Sequence, residues 1–337
     1  MTQTLGPVML DLEGTALRQE ERALLERPEV GGVILFGRNV EHARQVRELC
    51  DGIRRVRPEL LLAIDQEGGR VQRLREGVTR LPAMGRIGRD YDTTPEVTLR
   101  LCLDAGWLLG MEMAACGLDL SFAPVLDVDT GISSVIGDRS FSSDPRAVAA
   151  MAGAFISGLH EAGMAAVGKH FPGHGSVAAD SHLELPVDDR PLEALRQHDL
   201  IPFAELATRL DGVMPAHVIY SAFDSRPAGF SGSWLGLLRE SLGFKGTIFS
   251  DDLGMAGASF AGTPGERALA ALDAGCDMVL VCNDRAAALE ALEACQGRTT
   301  RLTARLRYGR ARPDIGAIEA LGRWRRVHAR LEAMASL

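Results

Sequence analysis

Eight short runs rich in Val, Ile, Leu and Phe recur along the chain, each followed by a segment long enough for a helix. They read VMLDLEG (8–14), GGVILF (31–36), LLLAID (60–65), LDLSFAPVLDV (118–128), AAVGKHF (165–171), GVMPAHV (212–218), TIFSDD (247–252) and MVLVC (278–282). Near-continuous apolarity, rather than alternation, is what strands covered on both faces require, as in a parallel sheet. Between them, residues 41–56, 97–117, 145–163 and 191–208 each carry an apolar stripe with charges opposite, the pattern of a helix laid on a core. Eight strand candidates alternating with helices in 337 residues predict an α/β fold of the (β/α)8 barrel type rather than a doubly wound sheet. A glycine fingerprint opening a helix after the first strand, the mark of dinucleotide binding, is missing from the sequence. A single domain over 1–337 is expected, with a helical segment from about 286 to 337 closing the barrel.

Composition narrows the function. With 46% hydrophobic and 24% charged residues the chain is neither disordered nor low-complexity, and a formal net charge of −8 disfavours a nucleic-acid or anionic-membrane partner. The start MTQTLGPVMLDLEG lacks a basic region followed by an apolar stretch, and no 18-residue apolar run occurs, so a signal peptide and a membrane span are not expected. A cytoplasmic protein is the expectation. Its six cysteines are scattered without a CxxC pair, which reads as small buried hydrophobes in a reducing compartment, not as a disulfide framework or a cysteine zinc site. The arginine-rich stretch 297–313 reads as the solvated face of a helix.

Polar residues gather where the strands end. The third strand runs into Asp65, the fourth into Asp127 and Asp129 and on to Arg139, the fifth into Lys169 and His170. The loop after the fifth holds His174, Asp180 and His182; the sixth strand ends in His217 and the seventh in Asp251 and Asp252. A charge at the mouth of an apolar strand is costly to desolvate without a partner, and a barrel of this type works from the loops at that end. Several such ends together point to a polar ligand site. Paired carboxylates suit glycoside cleavage, and only one of Asp251 and Asp252 can aim inward because neighbours on a strand face opposite ways. Two other readings stay open. His170, His174, Asp180 and His182 form a cluster that a metal-dependent hydrolase would use, although H-x3-H-x5-D-x-H matches no common zinc spacing. A non-catalytic sugar-binding barrel would keep Arg73, Arg139 and Lys169 without a carboxylate placed to attack.

KHFPGHGSVAADSH (169–182), FSDDLGM (249–255), DQEGGRVQRL (65–74) and VIGDRSF (135–141) together resemble glycoside hydrolase family 3. More narrowly, they resemble its single-domain bacterial β-N-acetylglucosaminidases of peptidoglycan recycling. The likeness runs in order over roughly residues 7 to 285 and extends to MLDLEG, GGVILFGRN and VMPAHVIY. It implies a retaining mechanism on a (β/α)8 barrel, with no cofactor and no metal. By that resemblance Asp251 is the nucleophile, and His182, oriented by Asp180, is the acid/base. Asp65, Arg73, Arg139, Lys169 and His170 would hold the terminal N-acetylglucosamine. An imidazole near its ordinary pKa of about 6.5 can donate and then accept a proton at neutral pH. Glu67 is expected to orient Arg73 or Arg139, and His217 to support the site. Gly173 and Gly175 are expected to let the 172–182 loop move. The implied substrate is N-acetylglucosamine β-linked to 1,6-anhydro-N-acetylmuramic acid in muropeptide fragments, the protein acting as a monomer without nucleic acid or membrane.

Overall fold

In a computed structural model, which describes residues 2–178 and 185–336, eight parallel strands close into a barrel. They are β1 (Val8–Leu10), β2 (Val30–Leu35), β3 (Leu61–Ile64), β4 (Leu120–Ser121), β5 (Ala165–Phe171), β6 (Gly212–Pro215), β7 (Thr247–Asp252) and β8 (Met278–Val281). Each pairs with its sequence neighbour, and β8 returns to β1 with Val279 opposite Val8. All eight fall on the apolar runs of the sequence, β2 starting one residue ahead of its run.

The reason for unbroken apolarity is visible in the two cores. One side of each strand, including Met9, Ile34, Ala63, Leu120, Val167, Met214, Phe249 and Leu280, fills the barrel. The alternate side, including Val8, Leu10, Val33, Leu62, Ile64 and Ile248, packs on the surrounding helices. Helices α1 (Pro95–Ala115) and α2 (Pro145–Ala162) approach so closely that only glycine fits between them. A Cβ on Gly106 would stand 2.1 Å from the Phe155 carbonyl oxygen, and one on Gly158 2.0 Å from that of Leu103. The stretch 191–208 is two short helices, Leu192–Arg196 and Ile201–Leu206, because Pro202 has no N–H for a continuous ladder and Asp199 turns inward to meet Arg190 at 2.9 Å.

A repeated device sets the strands' register. Asp119, Asp211 and Asp277 each stand just before an even-numbered strand and accept the N–H of a residue on the odd strand before it, Leu62, Ala166 and Ile248, at 2.9, 3.0 and 2.7 Å. Each of the three also donates its own N–H to that same residue's carbonyl. Each carboxylate is matched by a base from outside: Arg54 at 2.9 Å, His160 at 2.7 Å and Arg239 at 2.6 Å. Strand pairs β3–β4, β5–β6 and β7–β8 are thus stapled at the end away from the polar mouth.

That far end is plugged. Thr2–Leu5 pairs antiparallel with Thr300–Thr303, and Leu5, Leu302 and Leu306 join the interior cluster. The arginine-rich stretch is therefore not a helix face. It is a strand and a turn, drawn onto the barrel because Arg312 reaches the buried Asp119 at 2.5 Å and its guanidinium lies 5.3 Å from the Tyr308 ring. Beyond it come Ile315–Glu319 and the last helix, α3 (Gly322–Ala335). No helix among the described residues is long and apolar enough to cross a membrane.

Candidate active site

Strand parity decides which charges meet. Ala165 and Val167 face the barrel interior, so two residues on Lys169 does too; Phe249 faces inward, and so does Asp251 after it. They emerge at the mouth into a cavity of about 550 Å3, where the structure brings together Asp65, Arg73, Arg139, Lys169, His170 and Asp251. Asp180 and His182 lie outside the described residues.

One wall is a chain of alternating charge. Lys169 Nζ stands 3.0 Å from Asp65 Oδ1 and 2.6 Å from Glu67 Oε1. Arg139 grips the other side of Glu67 with two parallel bonds of 2.8 Å, from Nε and Nη2. Burial alone would raise the Glu67 carboxyl, but Arg139 and Lys169 hold it far below the usual carboxylate range. Glu67 thus orients Arg139, as expected from its place in the sequence, and shares Lys169 with Asp65. Arg73 pairs with Asp65 at 3.6 Å and lies 5.8 Å from the Phe36 ring. Glu67 sits on a hairpin of Gln66–Gly68 and Val71–Gln72, whose tight tip needs Gly68 and Gly69 at positive φ.

The histidines are organised by one of the two carboxylates expected at the end of the fourth strand. Asp127, fully buried, accepts His170 Nδ1–H at 2.7 Å and the N–H groups of His170 and His174 at 3.2 and 2.8 Å. Burial would raise its carboxyl, but His170 and His174 hold it below the usual range. The His170 tautomer is set by this bond, leaving Nε2 for the cavity. Burial and the neighbouring His170 lower the His174 pKa. Over its described part the following turn is held by contacts: Tyr220 Oη donates to the Gly173 carbonyl at 2.7 Å, and a Cβ on Gly175 would stand 1.8 Å from the Val128 carbonyl oxygen. Gly175 serves close packing, and Gly173 also takes a positive φ that favours glycine.

Asp251 and Asp252 both border the cavity, where β7 slips register against β8 between Phe249 and Asp252, but their partners differ. Burial would raise Asp251, but His217, His170, the Asp252 N–H and Lys169 hold it below the usual carboxylate range, so it is ionised at neutral pH. Asp252 accepts the Gly254 and Cys282 N–H groups at 2.9 and 3.1 Å and Asn283 Nδ2 at 3.3 Å. Burial and the adjacent Asp251 push it up to about 6. His217 stacks on Phe230 and bonds the Asp252 carbonyl oxygen through Nε2 at 3.1 Å, behind the site.

Sequence reasoning passed over a second cluster on this rim. Asp11 ends β1 as Asp65 ends β3; it pairs with Arg38 and accepts the Asn283 N–H at 2.7 Å, and Arg38 Nη1 donates to Asn283 Oδ1 at 2.8 Å. The strand-end rule that found Asp65 applies equally to Asp11. Among the described residues no group of three or more His, Cys, Asp or Glu is placed to hold a metal ion. A larger cavity of about 720 Å3 lies behind the hairpin; Asp129 lines it, but none of Asp65, Arg73, Arg139, Lys169, His170 and Asp251 does.

Comparison with known proteins agrees in family and in shape. The model of the glycosyl hydrolase family 3 N-terminal domain matches residues 5–306. A β-hexosaminidase of Pseudomonas aeruginosa is 59% identical over 292 residues, covering 86% of each chain. One from Thioalkalivibrio sulfidiphilus is 52% identical over 337 residues, covering 98% of this chain and 97% of its own. The crystal structure of NagZ from Neisseria gonorrhoeae in complex with N-trifluoroacetyl-D-glucosamine superposes with a TM-score of 0.91 at 42% identity, covering 98% of both chains.

Proposed function

The chain belongs to glycosyl hydrolase family 3, and from that membership we propose that it removes terminal, non-reducing β-linked N-acetylglucosamine with retention of configuration. It is a glycoside hydrolase of the β-hexosaminidase type. The observation that carries the finer reading is Asp251: an inward-facing, ionised carboxylate at the end of β7, in the same cavity as Arg139, Lys169, His170, Asp65 and Arg73.

In this mechanism Asp251 attacks the anomeric carbon as the bond to the leaving oxygen breaks, forming a glycosyl ester. His182, paired with Asp180, gives its proton to the leaving oxygen. It then takes one from the water that hydrolyses the ester. Asp65, Arg73, Arg139, Lys169 and His170 bind the hydroxyls and acetamido group of the sugar. The fixed Glu67–Arg139 fork and the shared Lys169 suit this task because preformed charge needs little rearrangement when substrate arrives. Muropeptide fragments ending in 1,6-anhydro-N-acetylmuramic acid are the proposed substrates, met in the cytoplasm. Support for the sugar comes from the N-trifluoroacetyl-D-glucosamine held by the Neisseria gonorrhoeae relative.

Turnover of p-nitrophenyl β-N-acetylglucosaminide tests the reading against p-nitrophenyl β-glucoside, with and without a chelator. Strong preference for the N-acetyl substrate, insensitive to chelation, is expected. Equal turnover of both would overturn the sugar assignment, and loss of activity to the chelator would favour a metal-dependent hydrolase.

A further inference from the structure

Helix α3 lies beyond residue 306, where the family match ends, and far along the chain from the residues of the mouth. Three of its side chains nevertheless converge on one short segment, Thr79–Leu81. Trp324 Nε1 donates to Glu112 Oε1 at 2.9 Å, and Glu112, buried on α1, accepts the Thr79 hydroxyl at 2.6 Å and the Thr79 N–H at 3.0 Å. His328 Nδ1 stands 2.8 Å from Thr79 Oγ1, its ring stacked on Trp324 at 4.4 Å. Glu332 accepts the Arg80 N–H at 2.7 Å.

That segment in turn carries the hairpin of the site. Gln72, buried, donates through Nε2 to the Thr79 carbonyl at 2.9 Å and accepts the Leu81 N–H at 2.9 Å. Gly69 donates its N–H to the Leu81 carbonyl at 2.8 Å. The tip lies flush on the next residues: a Cβ on Gly68 would stand 2.5 Å from the Pro82 carbonyl oxygen, and one on Gly69 2.8 Å from Ala83 Cβ. With no slack between tip and support, a shift of 79–83 moves the hairpin, and Glu67 with it.

We propose that α3 is a positioning brace for the sugar site, acting through Glu112, Thr79 and Gln72 to fix the hairpin that presents Glu67 to Arg139 and Lys169. Trp324, Glu112 and Thr79 are positioning residues, none of them in the cavity. The brace concerns how the sugar is held and leaves the chemistry at Asp251 alone; its effect on turnover rests on the function proposed above.

The test uses the full chain with Trp324→Phe, which keeps the ring stacked on His328 but removes the N–H, and with Thr79→Val, which removes the hydroxyl at nearly constant shape. Hydrogen exchange should quicken about tenfold at the 66–81 amides and stay unchanged at 247–252. The KM for p-nitrophenyl β-N-acetylglucosaminide should rise about three- to tenfold with kcat within about twofold. Unchanged exchange at 66–81 in both variants overturns the brace whatever the enzyme's activity. Faster exchange with unchanged KM overturns its link to the site, as does a fall in kcat alone. If the wild type does not turn over this substrate, the functional reading fails, and the exchange result still decides the brace.

Discussion

Asp252 donates its backbone N–H to the Oδ1 of Asp251 at 2.8 Å, yet the two carboxyls live in opposite electrostatic surroundings. Asp251 faces Lys169, His170 and His217 and stays ionised, whereas Asp252 faces backbone N–H groups and Asn283 and is pushed up to about 6. Adjacent on one strand, Asp251 is the proposed nucleophile, while Asp252 ties β7 to the loop after β8.

Asp251→Ala should therefore lower kcat at least a thousandfold, while Asp251→Asn, nearly isosteric, should lose turnover but still bind N-acetylglucosamine. Asp252→Asn keeps an oxygen for Gly254 and Cys282 and should lose only about tenfold. Steady-state kinetics with titration of the free sugar checks both. A near-native rate for Asp251→Ala would remove the nucleophile from this strand.

His182 is the proposed proton donor, and departure of a poor leaving group depends on protonation far more than departure of p-nitrophenol. His182→Ala should slow alkyl N-acetylglucosaminides about a hundredfold more than the p-nitrophenyl substrate. Similar losses across leaving groups of different basicity would show that another group delivers the proton.

Glu67→Gln leaves Lys169 and Arg139 buried with one fewer anion between them. Unpairing a buried charge typically destabilises by about 3 kcal/mol, so thermal unfolding should drop by several degrees. The KM should rise as Arg139 loses its fork. The wild-type contribution has a definite pH sign. Because the folded carboxyl sits below its unfolded value, the stabilisation is present above about pH 4.5 and fades as pH falls below it. Glu67→Gln should narrow its deficit in acid; a deficit that is constant with pH would sink the ion-pair account.

The eight strands are legible in the sequence because a barrel strand is apolar on both sides, and unbroken apolarity is a one-dimensional signal. Strand-end charge is legible for the same reason: Asp65, Lys169 and Asp251 interrupt those runs where the barrel opens. Partnership is legible only in part. Glu67 beside Arg139 is expected, but that Asp127 gathers the His170 ring with two backbone N–H groups, or that Glu67 shares Lys169 with Asp65, depends on loops folding back across tens of residues. Asp11 carries the same signal as Asp65 and is passed over because its role depends on Arg38 and Asn283, one on the far rim. The stretch 297–313 misleads because two of its arginines, Arg312 and Arg305, serve buried acids at the barrel floor, Asp119 and Asp211, and spacing cannot reveal partners so distant in sequence.

Glu112 offers a test of the brace's electrostatics through stability. Burial outweighs the bonds from Thr79 and Trp324 and pushes its carboxyl up to about 7, with Glu332 adding to the rise. A folded value above the unfolded one means that the folded chain favours the proton. The associated stability is fully present below about pH 4.5 and is lost as pH rises through about 7, by about 3 kcal/mol at most. The neutral acid can donate to Thr79 Oγ1, whose hydroxyl then turns to His328 Nδ1, so the chain of hydrogen bonds survives protonation. Glu112→Gln is neutral throughout. Urea unfolding at pH 5 and pH 8 should show the variant gaining on the wild type at the higher pH, by about 2–3 kcal/mol. A gap between variant and wild type that is the same at both values would mean that Glu112 does not titrate in this range.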